Sequence, residues 1–310
     1  MKRINNLFEK IISLDNLILA DKKARKGKSK QLDVKRHIKN EKQNLESLHE
    51  LLKHKKYETP EYKVFKILDP KEREIFRLPF RERIVQHAIM NILEPLLTPM
   101  FIINTYSCIK GRGILKASLD LRKYLLDVES TKYCLKLDIK KFYPSVNNEI
   151  LKLLIRQKIK DKDLLWLLDE NIDSTIGLPI GNYTSQIFAN FYLTHFDHYL
   201  KEVLKIKYYL RYSDDMVILS DSKEELHNIL ISITNYLKTL DLTVKNTHQV
   251  FPISKRGIDF VGFKHYHTHT LLRKSIKQNY KKSKNKKRWN GWLIHCNSLN
   301  LRRKYENNEN

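Results

Sequence analysis

The chain is 310 residues long and carries 59 Lys+Arg against 35 Asp+Glu, a formal charge of +24. A hydrophobic share of 41% supplies a large core and excludes wholesale disorder, and no apolar run reaches the roughly 18–20 residues of a membrane span. The cationic excess points to a polyanion, nucleic acid first, ahead of a merely solvated basic surface or an anionic membrane.

The first twenty residues are broken by Glu9, Lys10 and Asp15 and make a poor signal peptide. Cys108, Cys134 and Cys296 are odd in number and far apart. That argues against a disulfide framework or a cysteine-type zinc site, and for a reducing cytosol. Residues 1–56 read as helical and basic, with a solvated turn at 22–31. Residues 64–78 read as two short strands around a polar turn at Asp69–Arg73. Apolar residues at helical spacing (Ile84, Val85, Ala88, Ile89, Ile92, Leu93) predict a helix over 82–97, and a second follows at 114–127. YCLKLDI at 133–139 reads as a strand with Tyr133, Leu135, Leu137 and Ile139 on one face and Cys134, Lys136 and Asp138 on the other. Helices are expected at 147–159, over 183–204 as one long apolar rod, and at 223–240. Between the last two, 208–221 reads as strand, tight turn, strand. A hairpin is expected at 258–273, and 271–288 holds nine Lys/Arg and no acid, a surface facing an anionic partner. Six of the eight glycines fall in four short segments, KGRG, IGLPIG, KRG and FVGF.

Asp214-Asp215 is the one Asp-Asp pair in the chain. At a hairpin tip it is either a solvated turn or a concentration of negative charge that calls for a cation. Asp138, at the end of an otherwise apolar strand, tips the balance toward three carboxylates on adjacent strands. Hard oxygen ligands of this kind suit Mg²⁺. Two such ions activate a hydroxyl and stabilise a leaving pyrophosphate during in-line nucleotidyl transfer.

YSDD at 212–215 and LDIKKFYPSV at 137–146 resemble the catalytic motifs of reverse transcriptases, in order and separation. Between them, GLPIGNYTSQIFANFYL at 177–193 has Ile180 where most reverse transcriptases have glutamine. Its IGxxxSQ pattern resembles the reverse transcriptases of diversity-generating retroelements. So do 69–95, YSCIKGRG at 106–113, DFVGFKHYHTHTLLRKS at 259–275 and WNGWLIHCNSLNLRRK at 289–304. The resemblance implies an α+β right-hand polymerase fold, with an antiparallel palm sheet backed by helices. The parts would be a basic helical extension (1–60), fingers (61–130), palm (131–258, fingers residues interleaved), and primer-grip hairpin with short basic thumb (259–310). No RNase H or endonuclease domain fits the remaining length.

By the same resemblance, Asp138, Asp214 and Asp215 would be catalytic and, with the Ile139 backbone carbonyl, hold two Mg²⁺ ions, with Mn²⁺ as a substitute. Tyr143 would be the aromatic gate against a ribose 2′-OH. Arg73, with Lys71 as a secondary candidate, would bind the triphosphate through its planar fork of donors. Gly181 would set the entry to the following helix, and Ser185 and Gln186 would face the template–nucleotide pair. Ile180 would loosen template positioning, consistent with adenine-directed infidelity. Arg81 and Arg83 would contact template or shape the pocket. Lys110, Arg112, Gly262, Arg273 and Lys274 would follow the nucleic acid. The family's Lys-Thr pair is missing after the palm, which leaves Lys245 as a weak general acid. His265, His267 and His269 alternate, placing them on one face if they form a strand, toward nucleic acid or solvent rather than metal. Trp289 and Trp292 read as thumb core.

The implied function is RNA-directed DNA synthesis from dNTPs on a template-repeat RNA, in a bacterial or phage-encoded cytoplasmic enzyme. An accessory variability protein forming a ring-shaped oligomer is the implied partner, and no membrane is involved. The alternatives are a retron, group II intron-like or defence-associated reverse transcriptase, or a non-catalytic RNA-binding protein.

Overall fold

The computed structural model describes residues 3–68 and 72–306, and the chain divides into two compact units. One gathers residues 1–101, 141–195 and 240–242. The other gathers 102–140, 196–239 and 243–310, so the backbone passes between them five times.

In the first unit, helices Phe8–Ile12, Leu14–Ala24, Leu32–Lys39 and Glu41–Lys53 fill the region expected to be helical, with turns between Arg25 and Gln31. Ser13 Oγ accepts the Asn16 N–H and starts the second helix. Leu17, Ala20 and Ala24 form its buried stripe, which packs on helix Phe80–Leu97. Alanines let the two backbones approach, and Asn16 Nδ2 donates across to the Ala88 carbonyl at 3.1 Å. Full burial of Leu17 contributes about 2 kcal/mol. Helix Lys162–Ile172, which the sequence pattern did not single out, is capped by Asp161. The same carboxylate accepts the Leu7 and Phe8 N–H groups at 2.7 and 3.0 Å and so ties the N-terminal helix down. Strands β1 (Lys63–Ile67) and β2 (Arg73–Arg77) form an antiparallel hairpin as expected. Asp69, Pro70 and Lys71 of its turn lie outside the described residues.

The second unit is built on an antiparallel sheet of β3 (Tyr133–Asp138), β4 (Tyr208–Tyr212), β5 (Asp215–Ser220) and β6 (Gln249–Pro252), in the order β4-β5-β3-β6. Registers Cys134↔Leu219, Cys134↔Phe251 and Tyr208↔Leu219 put these residues on one face. That face is closed by Ala117 and Leu121 of helix Ile114–Tyr124 and by Ile258 and Phe260. Helix Lys223–Lys238, capped by Ser222, also packs on the sheet and buries Leu226, Ile229, Ile233 and Leu237. Strands β7 (Ile258–Phe260), β8 (Phe263–His265) and β9 (Thr270–Leu272) form a separate antiparallel meander. The mixed α+β class with antiparallel sheets is as expected.

Three expectations need correction. The rod over 183–204 is broken into Tyr183–Tyr192, Thr194–His198 and a π-helical turn at Tyr199–Val203. Thr194 Oγ1 bonds back to the Asn190 carbonyl at the break, and Asp197 turns into the second unit's core. The 258–273 hairpin is three strands, with Val261 (φ +44°) and Gly262 (φ +90°) making the first turn. The three histidines do not share one strand face. His265 ends β8 and is buried, His267 Nε2 bonds the Thr131 carbonyl at 2.9 Å, and His269 stacks on Tyr266. Among the described residues, no helix is long and apolar enough to cross a membrane.

Candidate active site

The second unit brings the acids together by register. Asp138, the last residue of β3, lies directly opposite Asp215, the first of β5. Tyr212 pairs with Asp215 across a two-residue turn, Ser213-Asp214. Ser213 adopts φ +59°, the positive value that short hairpin loops demand. Asp138, Lys136 and Asp215 therefore occupy one face of the sheet. The Lys136 ammonium lies 3.1 Å from Asp215 Oδ1 and donates to Oδ2 at 3.2 Å. It also donates to the Asp259 carbonyl and sits 5.8 Å above the Phe260 ring, linking the acids to β7. Burial pushes the Asp215 carboxyl up to about 6, and the charges of Asp138 and Asp214 push the same way against the opposing pull of Lys136.

The three acids expected to form a carboxylate cluster lie at neighbouring positions, Asp138 opposite Asp215 and Asp214 in the adjoining turn. Among the described residues, no three acidic, imidazole or thiol groups converge as a metal site. Asp215 turns toward Lys136. The donor set still fits a hard divalent cation. It is made of carboxylates on two adjacent strand ends and their turn, hard oxygen donors with the Lys136 ammonium beside Asp215. Ile139 is buried and bridged to Val244, and the Lys245 N–H donates to the Asp138 carbonyl at 2.8 Å. The backbone of Lys245 thus lies beside the acidic strand.

The first unit joins a second set of expected residues. The Phe76 N–H of β2 donates to the Ile180 carbonyl at 2.9 Å. Gly181 has φ +131°, and a Cβ there would press into the Phe76 carbonyl oxygen. The Leu178 N–H donates to the Tyr143 carbonyl at 2.8 Å. Gly177 (φ +71°) passes so close that a Cβ would lie 2.6 Å from the Pro144 carbonyl oxygen. Main-chain contacts thus connect the strand of Arg73 with Tyr143, Ile180 and Gly181. Arg73 is exposed, as is Gln186, whereas Ser185 is buried and does not face outward as expected. Its helix packs against Phe80–Leu97. Arg81 pairs with the buried Glu82 at 2.8 Å. Arg83, Gly181 and Gln186 share a cavity of about 360 Å³ with Lys23, Lys28 and His87. Burial, reinforced by Arg83 and Lys23, pushes His87 down to about 4, so the cations there at neutral pH are the two lysines and the arginine.

Of the remaining basic candidates, Lys110 and Lys274 are exposed. Arg112 is turned inward, donating to the Ile102 and Thr105 carbonyls at 2.6 and 3.0 Å. Its guanidinium braces its own loop, which corrects its expected role as a free nucleic-acid contact. Arg273 pairs with Asp259 at 2.5 Å. Gly262 is required by internal packing, since a Cβ would meet Trp292 at 2.5 Å and Ile276 at 2.8 Å. Trp289 and Trp292 pack around Phe263, Tyr280 and Leu293 as expected for a core. Sequence reasoning missed Lys136, Gly177 and the lysines of the cavity. A lysine two residues before the strand's acid was a usable signal for the first, while the others carry none.

The model of the family "Reverse transcriptase (RNA-dependent DNA polymerase)" matches residues 69–265. The chain is 30% identical over 226 residues to the retron Ec73 reverse transcriptase of Escherichia coli, covering 66% of this chain and 68% of that protein. It is 24% identical over 254 residues to a putative COX1/OXI3 intron 2 protein of Saccharomyces cerevisiae, of which it spans 29%. Among solved structures, apo telomerase from Candida tropicalis superposes with a TM-score of 0.53 at 14% identity. That match covers 68% of this chain and 48% of that one, and it supports the right-hand polymerase fold. The family match takes in both catalytic-type motifs and well over half of the chain, and the chain belongs to the reverse transcriptase family.

Proposed function

We propose that the protein is an RNA-directed DNA polymerase that copies a template-repeat RNA into cDNA with adenine-directed errors, for diversity-generating retrohoming. The observation that carries the polymerase reading is the pairing of Asp138 with Asp215, with Asp214 in the adjoining turn. Its division would be extension 1–60, fingers 61–130, palm 131–258 and primer grip with thumb 259–310.

Asp138, Asp214 and Asp215, with the Ile139 carbonyl, would hold Mg²⁺, or Mn²⁺ in its place. The bound ions would supply activation of the primer 3′-hydroxyl and neutralisation of the departing pyrophosphate. The protein's own groups do the positioning, which for phosphoryl-type transfer is most of the catalysis. Arg73, helped by Lys71, holds the triphosphate. The Tyr143 ring bars a ribose 2′-OH. Gly181 lines the nucleotide site, and Lys245 can give a proton to the pyrophosphate oxygen. Exposed Lys110 and Lys274 face the nucleic-acid backbone, and binding through them weakens as salt rises. Mg²⁺-dependent dNTP incorporation on a primed RNA, reduced at least a thousandfold in Asp214→Ala, tests this reading. Equal activity in that variant defeats it.

The diversity-generating role rests on Pro179-Ile180-Gly181 followed by Thr184-Ser185-Gln186. An apolar Ile180 removes a hydrogen-bonding side chain next to the incoming pair. Ile180→Gln is expected to lower misincorporation opposite template adenine several-fold, read by sequencing the cDNA. The ring-shaped accessory protein and a cytoplasmic setting belong to the same reading. The 30% identity to a retron enzyme favours a second reading, a retron-type polymerase. A structured RNA copied without adenine errors would mark it.

A further inference from the structure

Arg211 is the largest side chain in the core, with no solvent exposure. Its place on β4 puts it on the sheet face opposite Asp138, Lys136 and Asp215, since Arg211 is registered with Met216 rather than with the acids. There it meets Asp197, equally buried, of helix Thr194–His198. Nε lies 2.8 and 3.1 Å from the two carboxylate oxygens, and Nη2 lies 2.5 Å from Oδ2. Asp197 also accepts the Tyr209 hydroxyl at 2.7 Å and the Thr105 hydroxyl at 3.1 Å. The remaining guanidinium nitrogen, Nη1, reaches past the strand end and donates to the Ser213 carbonyl at 3.0 Å. The Arg211 backbone is held as well, by Asn104 and Tyr106 at 2.9 and 3.0 Å.

A buried ion pair is a costly way to fill a core, and an apolar pair of similar volume commonly serves stability as well or better. What an apolar pair lacks is a donor aimed at the turn. Ser213 sits at φ +59° in a loop of two residues, and the next residue is Asp214. A charge-assisted hydrogen bond to that carbonyl fixes the peptide that orients Asp214, from a guanidinium itself locked by three hydrogen bonds to Asp197.

We propose that Arg211, held by Asp197, is a positioning residue for the catalytic turn, setting the orientation of Asp214 and Asp215 for divalent-cation binding. This rests on the reading of those aspartates as metal ligands. Placement errors near 1 Å at a reacting centre cost on the order of 10²-fold, so the bond acts on rate and metal affinity more than on nucleotide binding.

The test uses the full chain and two readouts, Mn²⁺ affinity by electron paramagnetic resonance and Mg²⁺-dependent dNTP incorporation on primed RNA. Arg211→Lys keeps the charge pair but has no third nitrogen for Ser213. Arg211→Gln combined with Asp197→Asn leaves no unpaired charge and retains acceptors for Tyr209 and Thr105, so it serves where the lysine variant does not fold. Both are expected to weaken Mn²⁺ binding at least fivefold and to lower kcat at least tenfold, with KM for dNTP unchanged, at temperatures well below their melting points. A purely structural pair would lower the melting temperature and leave both readouts at wild-type values, which overturns the proposal. Wild-type protein that binds Mn²⁺ in an Asp214-dependent way yet incorporates no nucleotide refutes the polymerase reading, and the Mn²⁺ shift alone then decides the positioning role. Wild-type protein that binds no Mn²⁺ overturns both.

Discussion

The β1–β2 and β4–β5 hairpins follow one antiparallel plan in opposite surroundings. Every residue of β1 is exposed, and β2 is exposed or half-buried. Among the described residues its anchors lie at one end, where Arg77 pairs with Asp33 at 3.2 Å. The Phe76 N–H reaches Ile180, Phe76 meets the Tyr62 ring edge-on, and the Tyr62 hydroxyl engages Ser174 and Asn182. In β4–β5, by contrast, only the residues next to the turn escape full burial, and an ion pair braces the turn itself. Elements with few buried contacts open at low free-energy cost, and those in the core open only with global unfolding. The exposed hairpin, which carries the proposed triphosphate arginine, is the one expected to open at low cost. The buried one carries the proposed metal carboxylates and is built to stay still.

The strongest way to break this contrast is at Gly181. Gly181→Ala forces a Cβ toward the Phe76 carbonyl at a backbone angle that disfavours L side chains, a strain of about 1–3 kcal/mol. The expected result is detachment of β1–β2, read as a KM for dNTP raised tenfold or more with Mn²⁺ affinity unchanged. A matching loss of metal binding would show that the two hairpins are not independent.

Acid should sharpen the contrast next. His265 is pushed down to about 3, first by burial and then by Arg122. A base depressed in the folded state contributes stability fully present above its unfolded pKa near 6.5 and lost as pH falls toward 3, at up to about 1.4 kcal/mol per pH unit. His87 acts in the same sense down to about 4. Asp215, raised to about 6, opposes both, because the folded state then holds the extra proton. His265→Gln is expected to flatten the acid limb in urea titrations between pH 6.5 and 4. An unchanged slope would mean that the imidazole is not held neutral. The smallest effect is expected from Tyr62→Phe, which removes the hydroxyl between Ser174 and Asn182. It should cost about 1 kcal/mol and raise the dNTP KM two- to threefold, with kcat nearly constant.

Much of the site was legible because it is local. The alternation of YCLKLDI placed Asp138 and Lys136 on the same face, and the register confirms it. The hairpin at 208–221 put Asp214 in its turn for the same reason. What was hidden depended on partners distant in the chain. Lys136 is one of 59 basic residues until its carboxylate, 79 positions later, comes alongside. Asp197 lies inside the stretch read as one apolar rod, and the turn of its helix toward Arg211 is a tertiary event that no period of 3.6 reveals. Gly177 was visible as a glycine, but its crowding against Pro144 was not. The histidine alternation failed because β8 stops at His265 and the chain reverses before β9.

The five passages of the backbone between the two units bear on how the molecule can be taken apart. A cut after residue 140 or 195 leaves each piece with incomplete portions of both units. Neither unit is therefore a cassette that can be excised, swapped between homologues or produced alone by truncation. Chimeras would have to exchange the interleaved core as a whole, and separately expressed fragments would regain activity only by re-forming both halves at once.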